Sequence, residues 1–160
     1  MAGKLQHEIG KKRPFDCPEE EALLSIIRTA DVLTRAAAET FKSHDLSPTQ
    51  YNVLRILRGT CPEGTSGLPC SAIADQMLTR DPDMTRLLDR LEKRELISRA
   101  RAERDRRVVR TCITQKGLAV LKELDPLVSE CNRKHLGALG EARLRQLIDL
   151  LELARERLAT

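Results

Sequence analysis

Residues 82–95, PDMTRLLDRLEKRE, form the segment whose pattern most restricts the fold of this chain. Its apolar side chains recur at helical spacing, namely Met84, Leu87, Leu88 and Leu91. Steps of about 100° per residue place charged side chains on the opposite face, namely Asp83, Arg86, Arg90 and Lys93. Asp81 is expected to cap this helix, with Pro82 in its first position. Such a helix packs one side on a small core and presents the other to water or to a ligand.

Two strand-like runs follow this helix directly. Residues 96–102 (LISRARA) lead out, residues 103–106 (ERDR) turn, and residues 107–113 (RVVRTCI) lead back. The alternation and the β-branched residues are typical of a hairpin. Six arginines lie within residues 99–113, against one glutamate and one aspartate. The pattern therefore predicts an amphipathic helix followed by a strongly basic β-hairpin.

The chain before this segment is predicted to contain three helices. Residues 19–42 repeat apolar side chains at helical spacing, and Ser47 and Gln50 form a capping box that begins a second helix. Residues 59–69 are rich in glycine, proline and serine and are predicted to be a loop. A short helix over residues 70–77 comes next. This helix and the helix of residues 82–95 are the two short helices that precede the hairpin.

Two further helices are predicted after the hairpin. Thr114 can cap the first, and Pro126 lies inside it, so a bend is expected near residues 122–126. Residues 141–158 form the last helix, and its leucines spread over more than half of its circumference. A helix on the surface of a monomer needs only one apolar stripe, so this excess indicates a partner chain.

The composition excludes several classes of protein. Hydrophobic residues make up 41% of the 160 residues but aromatic residues only 2%, so the core must be aliphatic, which favours helices. No apolar run approaches the roughly 20 residues of a membrane span, and the start lacks the apolar stretch of a signal peptide, so we expect a cytoplasmic protein with no membrane partner. The five scattered cysteines predict reduced thiols rather than disulfides or zinc. No catalytic constellation, phosphate loop or metal-ligand spacing is evident, so neither an enzyme nor a cofactor is expected.

The order of the predicted elements is that of a winged helix-turn-helix. In such a unit the second helix of the pair enters the major groove of DNA, and the hairpin, or wing, reaches the neighbouring backbone or minor groove. Phosphates make dense positive charge useful, because each neutralised phosphate releases condensed counterions. We therefore expect a mainly α fold with a small β-hairpin that binds double-stranded DNA.

Three short motifs resemble the multiple antibiotic resistance regulator (MarR) family. The family's recognition-helix pattern T-R-L-x-D-R-L-E matches Thr85–Glu92, its D-R-R wing tip matches Asp105–Arg107, and its strand end I/L-T-x-K-G matches Ile113–Gly117. The resemblance covers residues 46–120 strongly and the flanking helices by arrangement. It implies a homodimeric transcription regulator, a repressor, that reads a pseudo-palindromic operator.

The resemblance also implies a division of the chain. Residues 19–45 and 115–160 would be dimerisation helices around a DNA-binding domain of residues 46–114, while the polar residues 1–18 are interpreted as a flexible tail. Half-sites would lie about 34 Å apart, one turn of DNA. A small aromatic or phenolic effector, bound between the dimer helices and the winged domains, would favour a spacing that misfits the operator and so release the repressor.

The family's DNA contacts carry over to the start of the recognition helix, at Asp83, Met84, Thr85 and Arg86. Arg86 suits the two acceptors of a guanine, and Thr85 suits a phosphate or a thymine methyl group. Arg90 lies one turn further on and is expected to meet the DNA backbone.

In the wing, Arg107 matches the arginine that the family places in the minor groove, and Asp105 matches the acid that orients it. Arg104 belongs to the same basic tip and is included among the DNA contacts. Glu95 departs from the family, which often has glycine after the recognition helix. Glycine there permits a left-handed cap, so Glu95 implies a different cap or backbone strain.

Two alternative functions remain open. Cys17 lies just before the first long helix, near the position where some relatives sense oxidants, so a redox-switched regulator is one alternative. A winged-helix module that binds protein rather than DNA is the other. The bland interpretation of the charges is that Arg86 and Arg90 form a solvated face paired with Asp83 and Asp89, and that the wing arginines neutralise the acidic first helix.

Four other side chains receive structural interpretations. Cys70 and Cys131 fall on apolar stripes and are predicted to lie in the core, and His135 continues the stripe of Cys131 as a packed histidine. His44 precedes a helix start and is predicted to meet solvent.

Overall fold

The computed structural model describes residues 4–60, 67–101 and 108–156. Its helices are α1 (Lys4–Glu8), α2 (Pro18–Phe41), α3 (Pro48–Thr60), α4 (Cys70–Asp75), α5 (Met84–Lys93), α6 (Gln115–Leu136) and α7 (Gly140–Glu156), with 3₁₀ turns at Lys42–His44 and Gly137–Leu139. Its strands are β1 (Leu68–Pro69), β2 (Ile97–Arg101) and β3 (Val109–Ile113). This order confirms the mainly α winged helix-turn-helix, in which α4 and α5 are the helix pair and β2 and β3 are the wing.

The sheet has three strands where the sequence predicted two. β2 and β3 pair in antiparallel fashion from Ile97 opposite Ile113 to Arg101 opposite Val109. β1 pairs with the other edge of β3, so that the strand order is β1-β3-β2. β3 is therefore the central strand, and its pairing with β1 joins the hairpin to the rest of the domain.

The extra strand β1 lies inside the segment that was predicted to be a loop. It has only two residues, and one of them is a proline, which cannot donate to the ladder, so it has no strand signature in the sequence. Gly67 precedes it with φ +72°, and a Cβ added there would lie 2.6 Å from Cys112 Sγ and 2.7 Å from the Thr111 carbonyl oxygen. The approach of β1 to β3 therefore requires glycine at this position.

The core is aliphatic, as the composition predicted. Leucines and isoleucines of α3, α5, β2 and α6 are fully buried, namely Leu54, Leu57, Leu88, Leu91, Ile97, Leu121 and Leu124. The predicted apolar face of α5 is buried throughout, from Leu91 at 0% exposure to Met84 at 9%. Phe41 and Tyr51, two of the three aromatic residues of the chain, stack with ring centroids 4.5 Å apart. This packing fixes which face of α5 is turned outward.

The start of α5 corrects the predicted cap. The helix begins at Met84, and Asp83 is its N-cap, because the Asp83 carboxylate accepts a hydrogen bond from the Arg86 amide at 3.1 Å. Asp81 instead accepts from the Asp83 amide at 2.9 Å, in a turn that precedes the helix. The prediction that Asp81 caps a helix opening at Pro82 was therefore wrong by two residues. A side-chain acceptor three residues before the donor is the usual N-cap geometry, and Asp83 satisfies it.

The end of α5 shows how Glu95 replaces the glycine of the family. Glu95 has φ 59°, in the left-handed region that glycine normally occupies. Its amide donates to the Glu92 carbonyl at 2.8 Å and the Leu96 amide donates to the Leu91 carbonyl at 3.0 Å, which are the two bonds of a Schellman motif. The cap is therefore the left-handed cap that glycine would permit, and the strained backbone that the sequence indicated is present at Glu95.

The start of α6 explains the glycine in the T-x-K-G motif. Thr114 is the N-cap, as predicted, and accepts from the Gly117 amide at 3.1 Å. A Cβ on Gly117 would lie 2.3 Å from the Leu96 carbonyl oxygen, so this close approach of α6 to the residue before β2 requires glycine. Further on, α6 continues on both sides of Pro126.

The two ends of the chain differ in how far they pack. The N-terminal segment, predicted to be a flexible tail over residues 1–18, contains the short helix α1, whose Leu5 is only 8% exposed. By contrast, α7 has no buried residue in the described chain. Four of its large apolar side chains are exposed by 38–65%, namely Leu147, Ile148, Leu150 and Leu153. No helix in the described ranges combines the length and apolar character needed to cross a membrane.

Candidate nucleic-acid interface

The outward face of α5 presents a row of polar and cationic side chains. Thr85, Arg86, Arg90 and Lys93 are exposed, whereas Met84 is packed in the core. Its burial separates Met84 from Thr85 and Arg86, with which the sequence grouped it as a predicted DNA contact. The row follows from the amphipathic spacing, because four buried side chains on one face leave these residues on the other.

The charges of this face only partly follow the bland interpretation. The Arg86 guanidinium is 74% exposed and lies 3.4 Å from the second oxygen of Asp83, so Asp83 both caps the helix and pairs with Arg86. Arg90 and Lys93 have no ion-pair partner within the described ranges. Asp89 is paired with Arg99 of β2 and not with Arg90. A pair as exposed as that of Asp83 and Arg86 contributes at most about 1 kcal/mol, so Arg86 is available to a ligand.

The hairpin divides its arginines between inward and outward roles. Arg99 is turned towards α5, where its guanidinium donates to Glu92 at 2.8 Å and to Asp89 at 2.6 Å. Arg110 donates to the Gly67 carbonyl at 2.9 Å and so ties β3 to the start of β1. Arg101 is exposed. The inward arginines therefore support the hairpin itself, and Arg99 pairs with acids of α5, not with the acidic start of α2.

The bridge at Arg99 also shows in its protonation. The hydrogen bonds that the Arg99 guanidinium donates to Glu92, and then to Asp89, raise its pKa, while partial burial lowers it. The guanidinium is therefore held in its charged form. Arg99 was not distinguished from the other wing arginines by its charge. The signal was available, because Arg99 is two residues from the buried Ile97 and residues at that spacing point to the same face of a strand.

The wing tip lies outside the described residues. Arg104, Asp105 and Arg107, the predicted minor-groove group, therefore stay predictions from the sequence.

Charged contacts join α3 and the turn before it to α6, forming a junction. Arg58 of α3 binds Asp125 of α6 through two hydrogen bonds of 2.8 and 3.1 Å. Burial, and then the Asp125 charge, raise the pKa of the nearby Tyr51 hydroxyl. Next to this pair, His44 lies 2.8 Å from Glu123 and its side chain is only 17% exposed, so the prediction that His44 meets solvent was wrong.

Arg94, directly after α5, closes the same junction. Its guanidinium donates to the carbonyl oxygens of His44, at 2.7 Å, and of Asp45. These residues form the turn between α2 and α3. The recognition helix is thus tied by one arginine to the end of the long N-terminal helix.

Three cysteines in the described ranges are thiols outside any disulfide, namely Cys17, Cys70 and Cys131. Cys17 is exposed at the N-cap of α2. A backbone hydrogen bond, and then a hydrogen bond with the Cys17 thiol, lower the pKa of the Glu19 carboxyl group. Cys70 packs against the core as predicted. Cys131 does not lie in the core; it lines an open groove between α2 and α6, and His135 beside it is exposed.

That groove has a volume of about 470 Å³. Its walls are Ala36, Glu39 and Thr40 of α2 and Leu127, Glu130, Cys131, Lys134 and His135 of α6. Glu39 pairs with Lys42 and Glu130 with Arg133, whereas Lys134 has no ion-pair partner in the part of the chain described. The groove therefore combines apolar lining residues with the positive charge of Lys134.

A helix pair whose second helix shows a cationic face, followed by a β-hairpin, defines a winged helix-turn-helix protein. A family model described as "MarR family" matches residues 46–109. A MarR transcription factor from Planctomyces limnophilus is 42% identical in sequence, and its structure aligns with a TM-score of 0.66 over 87% of this chain and 98% of that chain. The chain belongs to the MarR family of transcription regulators.

Two further comparisons agree with this assignment. The HTH-type transcriptional regulator MhqR of Bacillus subtilis strain 168 is 28% identical over 109 residues, which cover 68% of this chain and 72% of MhqR. The structure of BpsR of Bordetella bronchiseptica aligns with a TM-score of 0.74 at 19% identity and covers 84% of this chain and 98% of that one. The DNA binding of BpsR is regulated by 6-hydroxynicotinic acid.

Proposed function

We propose that this regulator is a homodimeric repressor that binds a pseudo-palindromic DNA operator through α5 and the wing. The observation that carries the proposal is the outward face of α5, where Arg86, Arg90 and Lys93 are exposed on a helix held rigidly by its buried side. A helix of this size fits the major groove, and arginine recognises guanine through two acceptors. The exposed Arg101 extends the positive surface onto the hairpin.

The exposed apolar surface of the outer helices supports a dimer. None of the α7 side chains is buried in the described chain, and α2 exposes Leu23, Ile26 and Ile27 by 45–58%. Apolar faces of this extent on two helices are costly in water and are typical of an interface. A two-fold dimer built on these helices would place two α5 helices about one DNA turn, or 34 Å, apart.

The test begins with selection of duplexes from a random pool by the purified protein at stated salt, followed by affinity measurements on the selected sequence. Arg86→Ala should relax the preference at one or two base pairs per half-site, with a loss of about 1–3 kcal/mol. Lys122→Ala, which removes an exposed charge from α6, is the matched control and should leave that preference unchanged. A uniform loss across all sequences would show that Arg86 meets only phosphates.

Salt dependence tests the alternative of a protein-binding module. A protein that binds through phosphates loses affinity steeply with added salt, because counterions are released on binding. Failure to enrich any duplex, or binding that does not depend on salt, would contradict the proposal. Analytical ultracentrifugation at micromolar concentration tests the dimer, and a monomer under those conditions would contradict it.

We further propose that the α2–α6 groove binds a small aromatic acid that releases the DNA. Lys134 supplies a cation for a carboxylate, while Ala36 and Leu127 supply apolar walls. The regulation of BpsR by 6-hydroxynicotinic acid supports a ligand of this class. This acid should release the selected duplex from the wild type and do so at higher concentration from Lys134→Gln. Equal release from both proteins would place the ligand elsewhere.

The redox alternative depends on Cys17, which is exposed at the start of α2. Alkylation of the protein should leave operator binding unchanged if regulation is by ligand. Loss of binding on alkylation that is absent in Cys17→Ser would favour the redox-switched regulator.

A further inference from the structure

Arg99 joins the wing to the recognition helix through two acids. Its Nε donates to Glu92 Oε2 at 2.8 Å and its Nη2 donates to Asp89 Oδ1 at 2.6 Å, with a further contact between Nη2 and Glu92. The Arg99 side chain is only 24% exposed, whereas the two carboxylates are about 40% exposed, at 43% and 38%. The bridge therefore lies at the edge of the core, behind the outward face of α5.

The position of this bridge determines what it holds in place. Asp89 and Glu92 are three residues apart and so lie on the same side of α5. Arg99 is on β2, beyond the tight turn at Glu95. A planar guanidinium held by two carboxylates fixes the orientation of β2 against α5 beyond this turn.

The bridge also explains why α5, which faces DNA in the proposed function, carries the acids Asp89 and Glu92. Carboxylates near phosphates weaken binding by repulsion. Neutralisation by Arg99 reduces this repulsion, and Arg99 is itself consumed by the pairing. Its charge is therefore not part of the surface offered to DNA.

We propose that Arg99 is a positioning residue for DNA recognition: held by Asp89 and Glu92, it sets the angle between the wing and α5, and so the place of the wing arginines relative to Arg86. The proposal rests on the proposed function, since it assigns a role within DNA binding. It differs from the family motifs of the sequence analysis, in which the basic residues meet DNA directly.

The sign of the effect of Glu92→Ala is the sharpest test. Removal of an acid close to DNA should tighten binding if the acid acts only by its charge. If Glu92 holds the wing through Arg99, Glu92→Ala should instead weaken binding of the selected duplex, by about tenfold. Asp75→Ala is the matched control, because Asp75 is an exposed acid at the end of α4. It should bind as tightly as the wild type or more tightly.

The same measurements on Arg99 variants separate positioning from phosphate contact. Arg99→Gln should weaken binding by a similar factor and should change the slope of log affinity against log salt no more than Glu92→Ala does, whereas loss of a direct phosphate contact would lower the slope by about 0.9 in Arg99→Gln alone. The double variant Arg99→Gln/Glu92→Ala should bind no more weakly than either single variant, because both remove one bridge. Arg99→Lys, which can reach only one acid at a time, should fall between wild type and Arg99→Gln.

Each result decides between specific outcomes. Tighter binding by Glu92→Ala, or a salt slope that is smaller for Arg99→Gln than for Glu92→Ala, would overturn the positioning role while leaving DNA binding intact. A wild type that selects no DNA would overturn the proposed function and this role with it. Circular dichroism and melting temperatures report whether the variants fold; if Arg99→Gln does not, Glu92→Ala and Arg99→Lys decide the question on their own.

Discussion

Replacement of Gly117 by alanine tests whether the start of α6 directly contacts the backbone just before β2. The added Cβ would lie 2.3 Å from the Leu96 carbonyl oxygen and 2.8 Å from Ile113 Cγ1. Normal contact for such atoms is about 3.5 Å, so the start of α6 must move by about 1 Å from the start of β2. The Leu96 oxygen cannot move freely, because it accepts a hydrogen bond from the Thr114 amide at 3.1 Å.

The expected loss of stability follows from three effects. Overpacking of this kind costs about 1–3 kcal/mol. Weakening of the bond between Thr114 and Leu96 costs about 1 kcal/mol. Alanine recovers up to about 1 kcal/mol, because glycine is the poorer helix former. We therefore expect Gly117→Ala to lower the free energy of unfolding by about 2 kcal/mol.

Urea unfolding followed by far-ultraviolet circular dichroism measures this change. The matched control is Gly59→Ala in α3, where an added Cβ meets nothing within 4 Å and should raise the free energy of unfolding by about 0.5 kcal/mol. Both variants must be compared at one protein concentration, because association contributes to stability. A Gly117→Ala protein within about 0.5 kcal/mol of the wild type would refute the close-contact argument.

The remaining predictions concern the cap, the junction and the wing. Glu95→Gly should raise the free energy of unfolding by about 1 kcal/mol in the same assay, because it removes the strain of a non-glycine residue at φ 59°; an unchanged or lower value would mean that the side chain compensates. Tyr51 is the only tyrosine of the chain, so ultraviolet absorbance of its phenolate should titrate above the usual pKa of 10.0, and Asp125→Asn should lower this pKa. Because the pKa is raised in the folded state, Tyr51 contributes stability that is present below pH 10.0 and declines as pH rises through the folded-state pKa; a titration identical in Asp125→Asn would exclude the charge effect. Arg107→Ala should weaken binding of all duplexes with little change in melting temperature, and unchanged affinity would refute its assignment to the wing contact.

The sequence predicted most elements of the fold because their signals are local. The amphipathic spacing of α5 placed Leu87, Leu88 and Leu91 in the core, and the Thr114 cap fixed the start of α6. The cap of α5 was misplaced by two residues because Asp81 and Asp83 both suit an N-cap, and the choice between them depends on tertiary packing. Proline after Asp81 made the wrong choice look favourable.

The candidate site was less accessible to sequence reasoning, because its residues are defined by contacts across the chain. Charge alone grouped Arg99 with the other wing arginines, whereas its partners lie on α5. The role of His44 depends on Glu123, which is 79 residues away. Periodicity assigns a side chain to a face of its own element, and only the packing of elements decides what that face meets.

The pairing of Arg86 with Asp83 gives the recognition helix an internal competitor. A guanidinium that already has a carboxylate beside it gains little from a lone phosphate oxygen, since one anion merely replaces another. A ligand with two aligned acceptors offers the arginine more than its own helix does. For the DNA binding proposed above, a weak contact of this kind favours discrimination between ligands over tight binding.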